Sequence, residues 1–203
     1  YTDVDRTEEK AKTIELNRYE FDGSGNPTAK NDEPIVTYNP DVTLQELATS
    51  TLGNTTAKNI NDFKIKASAA GSGGFYIGRY EARTGTARSA KTDELTTLTT
   101  KASDYVYNWV TQTQAAELAR NMYQNATTYT SDLINSYAWD TAIVFLQKFD
   151  NRVNKTNLKA YSRQNSLNRG NLASQGTNNL SDTSKQDVIC NVYDMASNCL
   201  EWT

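Results

Sequence analysis

The chain closes on V192-Y-D-M-A-S-N-C-L-E-W-T203, and the reading of this stretch decides the fold. It opens apolar and aromatic at Val192 and Tyr193, turns through Ala196-Ser197-Asn198, and ends on Glu201 and Trp202. Two carboxylates, Asp194 and Glu201, bracket a segment whose backbone must turn. Carboxylates mixed with backbone carbonyls are the donors that a hard cation such as calcium takes. On the residues alone, the simpler reading is a strand entering a loop, with two solvated acids and a core tryptophan.

Composition narrows the field around that ending. With 203 residues the chain suits one large domain or one domain carrying an insertion. Hydrophobic residues make up only 37%, so the core leans on 12 Tyr, 5 Phe and 3 Trp. Aromatic side chains bury a large area each, and Tyr and Trp keep a polar handle. A net charge of −3, with Lys and Arg scattered and never in a run, argues against a nucleic-acid partner. The most apolar stretch, Ala142 to Leu146, is far too short to cross a membrane.

Histidine is absent, which removes the commonest metal ligand and the usual general base near neutral pH. A Ser-His-Asp triad and a histidine-held iron or zinc are thereby excluded for this chain, and no haem is expected. Cys190 and Cys199 fit no zinc spacing; a disulfide and two small apolar residues both remain open. The first residue is not Met and no signal peptide is legible, so the chain reads as a mature or trimmed piece. Its Thr- and Asn-rich polarity suits an extracellular or cell-surface protein of a bacterium.

Moving outward from the ending, residues 1 to 11 are highly charged and expected to fray. Thr13 to Phe21 alternates with a change of phase between Leu16 and Tyr19, predicting a bulged strand. Asp22 to Pro27 (DGSGNP) is a turn, and Ile35 to Tyr38 is the expected returning strand. Thr43 to Ala48 reads as a short helix with capping-box spacing between Thr43 and Glu46. Asn61 to Ala70 reads as a second, with Phe63 and Ala67 on one face and Gly71 as its stop.

Phe75 to Ala82 (FYIGRYEA) alternates most clearly and predicts a strand, with Gly78 marking close approach of another backbone. Thr84 to Ser103 is poor in apolar residues and reads as a surface insertion. Thr111 to Tyr123 predicts a helix: Thr111 and Gln114 form a capping box, and Ala115, Leu118, Ala119 and Met122 fall on one face. Ser136 to Gln147 predicts another, with Trp139, Ala142, Ile143 and Leu146 as its core stripe. Asn151 to Asp187 is a long polar loop, and strand character returns at Val188.

Four of these segments, in order, resemble the formylglycine-generating (sulfatase-modifying factor) family. YDMASNCLEWT is similar to its D-M-x-G-N-x-W-E-W-T signature, and GGFYIGRYEA to its first core strand, F-x-I-G-x-Y-E-V-T. NWVTQTQAAELARNMY resembles the V-x-W-x-x-A-x-x-Y region of the first long helix. SDLINSYAWD resembles R-L-P-T-E-A-E-W-E, with Leu133 and Trp139 keeping their separation and Asp140 standing for the final Glu.

The resemblance implies an α+β, C-type-lectin-like fold: two main helices, small antiparallel sheets and much irregular loop. Residues 71 to 203 would form that core, continuing beyond Thr203, with an insertion at about 84 to 103 and the polar loop at 151 to 187. Residues 1 to 70 would be an N-terminal extension packed on it.

The resemblance also implies a structural calcium held by the side chains of Asp194 and Glu201 and the backbone carbonyls of Ser197 and Cys199. Ser197 replaces the usual Gly and Leu200 the usual Trp; neither change removes a donor, but Gly tolerates positive φ where Ser does not.

One fold carries several functions in this family. Its oxidase branch holds copper on a cysteine pair downstream of the E-W-T motif, and Cys190 and Cys199 do not align with that pair. Its iron branch needs histidines. The expectation is therefore a secreted or surface ligand-binding or display domain, whose ligand is an unknown protein or glycan. A metal-dependent oxidase with cysteines beyond Thr203 is the alternative, and a structural domain of a surface assembly is a further one.

Overall fold

In the computed structural model, the described residues are 3–5, 10–12, 14–30, 60–69, 74–102, 104–129, 131–149, 188–193 and 195. Three helices and four two-stranded antiparallel ladders lie among them: α1 (Ile60–Ala69), α2 (Gln112–Asn121) and α3 (Ser136–Phe149), with β1–β2, β3–β4, β5–β6 and β7–β8. The expected elements at Ile35 to Tyr38, Thr43 to Ala48 and Asn151 to Asp187 lie outside the described residues.

Helix α3 organises the interior. Asn135 caps its start, its Oδ1 accepting the Ala138 N–H at 2.9 Å. Its expected stripe is buried at Ala142, Ile143 and Leu146, whereas Trp139 is only half-buried. Burial instead runs round the helix through Tyr137, Ala138, Val144 and three polar residues, Asp140, Thr141 and Gln147. A single stripe would leave those polar groups in water; here each meets a partner from elsewhere in the chain.

One side of α3 packs on α1. Ile60 and Phe63 join Tyr137 and Ala138, with Leu16, Phe75 and Ile134 at the margin. The Phe63 ring stacks on Tyr137 at 5.9 Å and meets Phe75 at 5.5 Å. Phe63 and Ala67 share the buried face of α1, as their spacing predicts. The other side of α3 takes Phe21 against Ile143 and Val144. Residues before and after position 70 thus share the same apolar clusters.

Polar contacts fix the register between α3 and residues 17–25. Thr141 Oγ1 accepts the Asn17 N–H at 3.2 Å and lies 3.1 Å from Asn17 O. Asp140 Oδ2 accepts the Tyr19 N–H at 3.0 Å and meets Arg18 Nε at 3.0 Å. Gln147 Nε2 donates to Gly25 O at 3.1 Å. Helix side chains here act as a neighbouring strand would, satisfying backbone groups that burial would otherwise strand.

Several sequence expectations are corrected. The strand near residue 20 is β3 (Arg18–Phe21), with Ile14 to Asn17 outside its ladder. Its return comes at once, in β4 (Pro27–Lys30), with Phe21 opposite Pro27. Asp22 explains the early closure: its carboxylate accepts the N–H groups of Ser24 and Asn26 and the Asn26 amide, while Gly25 takes φ 85°. Residues expected to fray instead pair, β1 (Asp3–Asp5) with β2 (Lys10–Lys12), in a register that sets Asp3 opposite Lys12 and Asp5 opposite Lys10.

Phe75 to Ala82 forms no ladder among the described residues, despite its alternation. Phe75 turns into the α1 cluster while Tyr76 stays 89% exposed. A Cβ at Gly78 would sit 3.0 Å from Tyr80 O, so the close backbone approach foreseen at Gly78 comes from two residues down the same chain. The strand proper is β5 (Arg83–Thr84), buried and paired with β6 (Tyr105–Val106).

Candidate functional site

The four calcium ligands implied by the resemblance, Asp194, Ser197, Cys199 and Glu201, all lie outside the described residues. What is described is the frame on either side of Asp194. Strands β7 (Val188–Ile189) and β8 (Val192–Tyr193) form a tight hairpin whose two turn residues, Cys190 and Asn191, take φ 51° and 63°. Two consecutive left-handed residues match the twist of a two-residue hairpin. Half-buried Cys190 packs with Val192 and Met195 against Leu146 of α3.

Tyr193 is tied to the residues around β5. Its N–H donates to Arg79 O at 2.8 Å, and its ring lies 4.8 Å from that of Tyr80. The guanidinium of fully buried Arg83 lies over the other aromatic partner, 4.6 Å from the Tyr80 ring centre. Met195 packs on α3 through Leu146 and through the Phe21, Ile143 and Val144 cluster. The residues immediately before and after Asp194 are therefore anchored to different elements. Among the described residues, no group of three or more Cys, Asp or Glu is placed to hold a metal ion.

A second arrangement was not legible in the sequence. Of the stretch expected as a surface insertion, Thr84 to Ser103, the described residues 84–102 are largely exposed, and they are tied down by the Thr99–Arg83 backbone pair and by a buried cation, Arg88. Arg88 Nε donates to Asn108 O at 3.0 Å, Nη2 to Trp109 O at 3.3 Å, and Nη1 to Glu94 O. Its guanidinium lies 5.3 Å from the centre of the Tyr107 ring. Tyr107 in turn grips Thr96, its hydroxyl accepting from Thr96 N and donating to Thr96 O. Asp93 closes the loop by accepting the N–H groups of Ser89 and Ala90. Those hydrogen bonds, with a smaller contribution from the charge of Arg88, hold its carboxyl below the usual carboxylate range.

Bound through two consecutive carbonyls, residues 108 and 109 are fixed in an uncommon conformation. Trp109 takes φ 56°, a left-handed value that costs an L-residue with a bulky side chain about 1–2 kcal/mol. The residue is 42% exposed. Two residues on, Thr111 caps α2 through the reciprocal capping box with Gln114, as the spacing predicts. The signals for this site were a lone arginine in a Thr/Ala-rich stretch and a tryptophan just outside a helix cap, and neither has a period.

No protein-family model, curated protein or solved structure matches this chain. No helix among the described residues is long and apolar enough to cross a membrane.

Proposed function

We propose that the chain is a ligand-binding or display domain that works outside the cell or at its surface, on a scaffold of the formylglycine-generating type. The observation that supports it best is the Arg88–Trp109 arrangement. A large aromatic residue is partly exposed in a costly backbone conformation, and a buried arginine donates to the carbonyls of that turn. Rigid exposed aromatics lose little entropy on contact, which is why recognition surfaces are rich in them. Backbone strain of this kind gathers at sites that bind.

The calcium ion belongs to the same proposal, with Asp194 and Glu201 as side-chain ligands and Ser197 and Cys199 as carbonyl ligands. Its role is to hold the loop that follows β8, the frame of which Tyr193 and Met195 already anchor. Calcium bound only by the folded state raises the melting temperature by mass action. An identical thermal midpoint in chelator and in excess calcium would remove the ion from the proposal.

The binding role is tested by screening the full chain on protein and glycan arrays. A saturable ligand is expected. Copper- or iron-dependent oxygen uptake with a thiol substrate, above a metal-free control, would replace the binding role with an oxidase.

A further inference from the structure

Two Asn-x-Thr triplets lie among the described residues, Asn26-Pro27-Thr28 and Asn125-Ala126-Thr127. Such a triplet is the acceptor signal for N-glycosylation in an exported chain, provided that its middle residue is not proline. The reacting atom is the asparagine amide nitrogen. The first triplet fails on both counts: Pro27 occupies the middle, and the Asn26 amide already donates to Asp22 Oδ2 at 2.8 Å. Asn125 has alanine in the middle and a hydroxyl two residues on.

The fold presents this second triplet at a loop tip. Helix α2 ends at Asn121, and the Ala126 N–H donates to Tyr123 O at 2.9 Å, so Asn125 is the third residue of a turn. Both Asn125 and Thr127 are exposed and lie outside every helix and ladder, where a modifying enzyme reaches backbone and side chain together. The base of the loop is closed. Arg120 Nε meets Asp132 Oδ1 at 2.8 Å, Ser131 Oγ donates to Ala119 O at 2.6 Å, and the Tyr123 and Tyr129 rings meet edge to face at 5.4 Å. Resting on the reading above, in which the chain works outside the cell or at its surface, we propose that Asn125 is the acceptor of an N-linked glycan. The donor is a lipid-pyrophosphate-linked oligosaccharide, used by an oligosaccharyltransferase. The Asn125 amide nitrogen bonds to C1 of the first sugar, the bond from C1 to the pyrophosphate oxygen breaks, and the amide proton passes to the released lipid pyrophosphate. Nothing is oxidised or reduced, and the Thr127 hydroxyl serves as the group that the enzyme reads.

Three full-length folded proteins test this: the native chain, Asn125→Gln and Thr127→Val. Each is melted, then incubated with an oligosaccharyltransferase that reads Asn-x-Thr and with its lipid-pyrophosphate-linked oligosaccharide. Mass spectrometry reads the peptide that contains residue 125. The native peptide is expected to gain the mass of the oligosaccharide, and both variants to lose that gain while melting as the native chain does, because both positions are exposed. The native chain is also recovered from the exterior of cells that produce it, where the same peptide should carry a glycan.

A bare Asn125 on the folded chain, under conditions that modify a free peptide of the same sequence, would overturn the assignment. So would undiminished transfer to Thr127→Val, or a chain recovered from the cell exterior with Asn125 unmodified. Those outcomes leave the surface reading standing. A chain found only inside the cells that produce it would overturn the surface reading, and this proposal with it.

Discussion

Helix α3 and the arm from β5 to Trp109 bury polar groups in opposite ways. On α3, side chains are buried beside the backbone of residues 17–25, and the helix supplies the missing half of each pair: Asp140 to Tyr19, Thr141 to Asn17, Gln147 to Gly25. These pairs sit beside apolar clusters that also pack on the helix. In the arm a single arginine gathers three carbonyls, and described apolar packing is thin around it. The difference is one of means. The helix region combines these pairs with apolar clusters, while the arm is held mainly by polar groups aimed at its own backbone: Arg88 on three carbonyls, the Tyr107 hydroxyl on both backbone groups of Thr96, and Thr99 paired with Arg83.

Tyr137→Ala should produce the largest effect. Tyr137 is fully buried and stacked on Phe63, so truncation leaves a cavity and costs about 3–5 kcal/mol. Thermal unfolding measures it, and a loss under about 1 kcal/mol would show that the α1–α3 contact is not the core.

Arg88→Met comes next. It leaves the carbonyls of Asn108, Trp109 and Glu94 without this donor, at about 2–3 kcal/mol after water reaches some of them. Hydrogen exchange should quicken between residues 84 and 109 while α3 keeps its protection. Equal loss of protection in α3 would erase the contrast between the two regions.

The smallest effect is one of pH. Burial, then the charges of Glu15 and Asp140, push the Tyr19 hydroxyl up to about 12 from an ordinary 10.0. A raised pKa means the folded state holds its proton more tightly, so this contribution is complete below pH 10 and is lost as pH rises towards 12. The hydroxyl also donates to Glu15 O at 2.7 Å. Tyr19→Phe should therefore flatten the stability profile in that window, with partial exposure keeping the change modest. An unaltered profile would show that neither burial nor the charges of Glu15 and Asp140 raise this hydroxyl.

Local signals that need no distant partner were legible. The Thr111–Gln114 capping box, the face of α1 bearing Phe63 and Ala67, and the buried Ala142, Ile143 and Leu146 of α3 follow from spacing alone. The turn at Asp22 did too, although its strand returned sooner than expected. Phe75 to Ala82 shows the limit of such reading: alternation describes a segment able to be a strand, and a strand also needs a neighbour to complete its hydrogen bonds. The ligand residues Asp194, Ser197, Cys199 and Glu201 were named from a resemblance, and the structure describes only what flanks Asp194.

By itself the sequence located the three helices, the Thr111–Gln114 cap and the buried faces of α1 and most of α3, because those depend on residues three or four apart. On α2 the expected face of Ala115, Leu118, Ala119 and Met122 is only partly buried, and Ala116 is the buried residue. It also excluded every chemistry that needs histidine. Only the tertiary structure decided that Asp140 and Thr141 face backbone from residues 17 to 19, and that Arg88 reaches forward to residues 108 and 109. Such pairs join residues that are 20 to 124 positions apart. A buried donor must find an acceptor, but nothing in its own neighbourhood says which one.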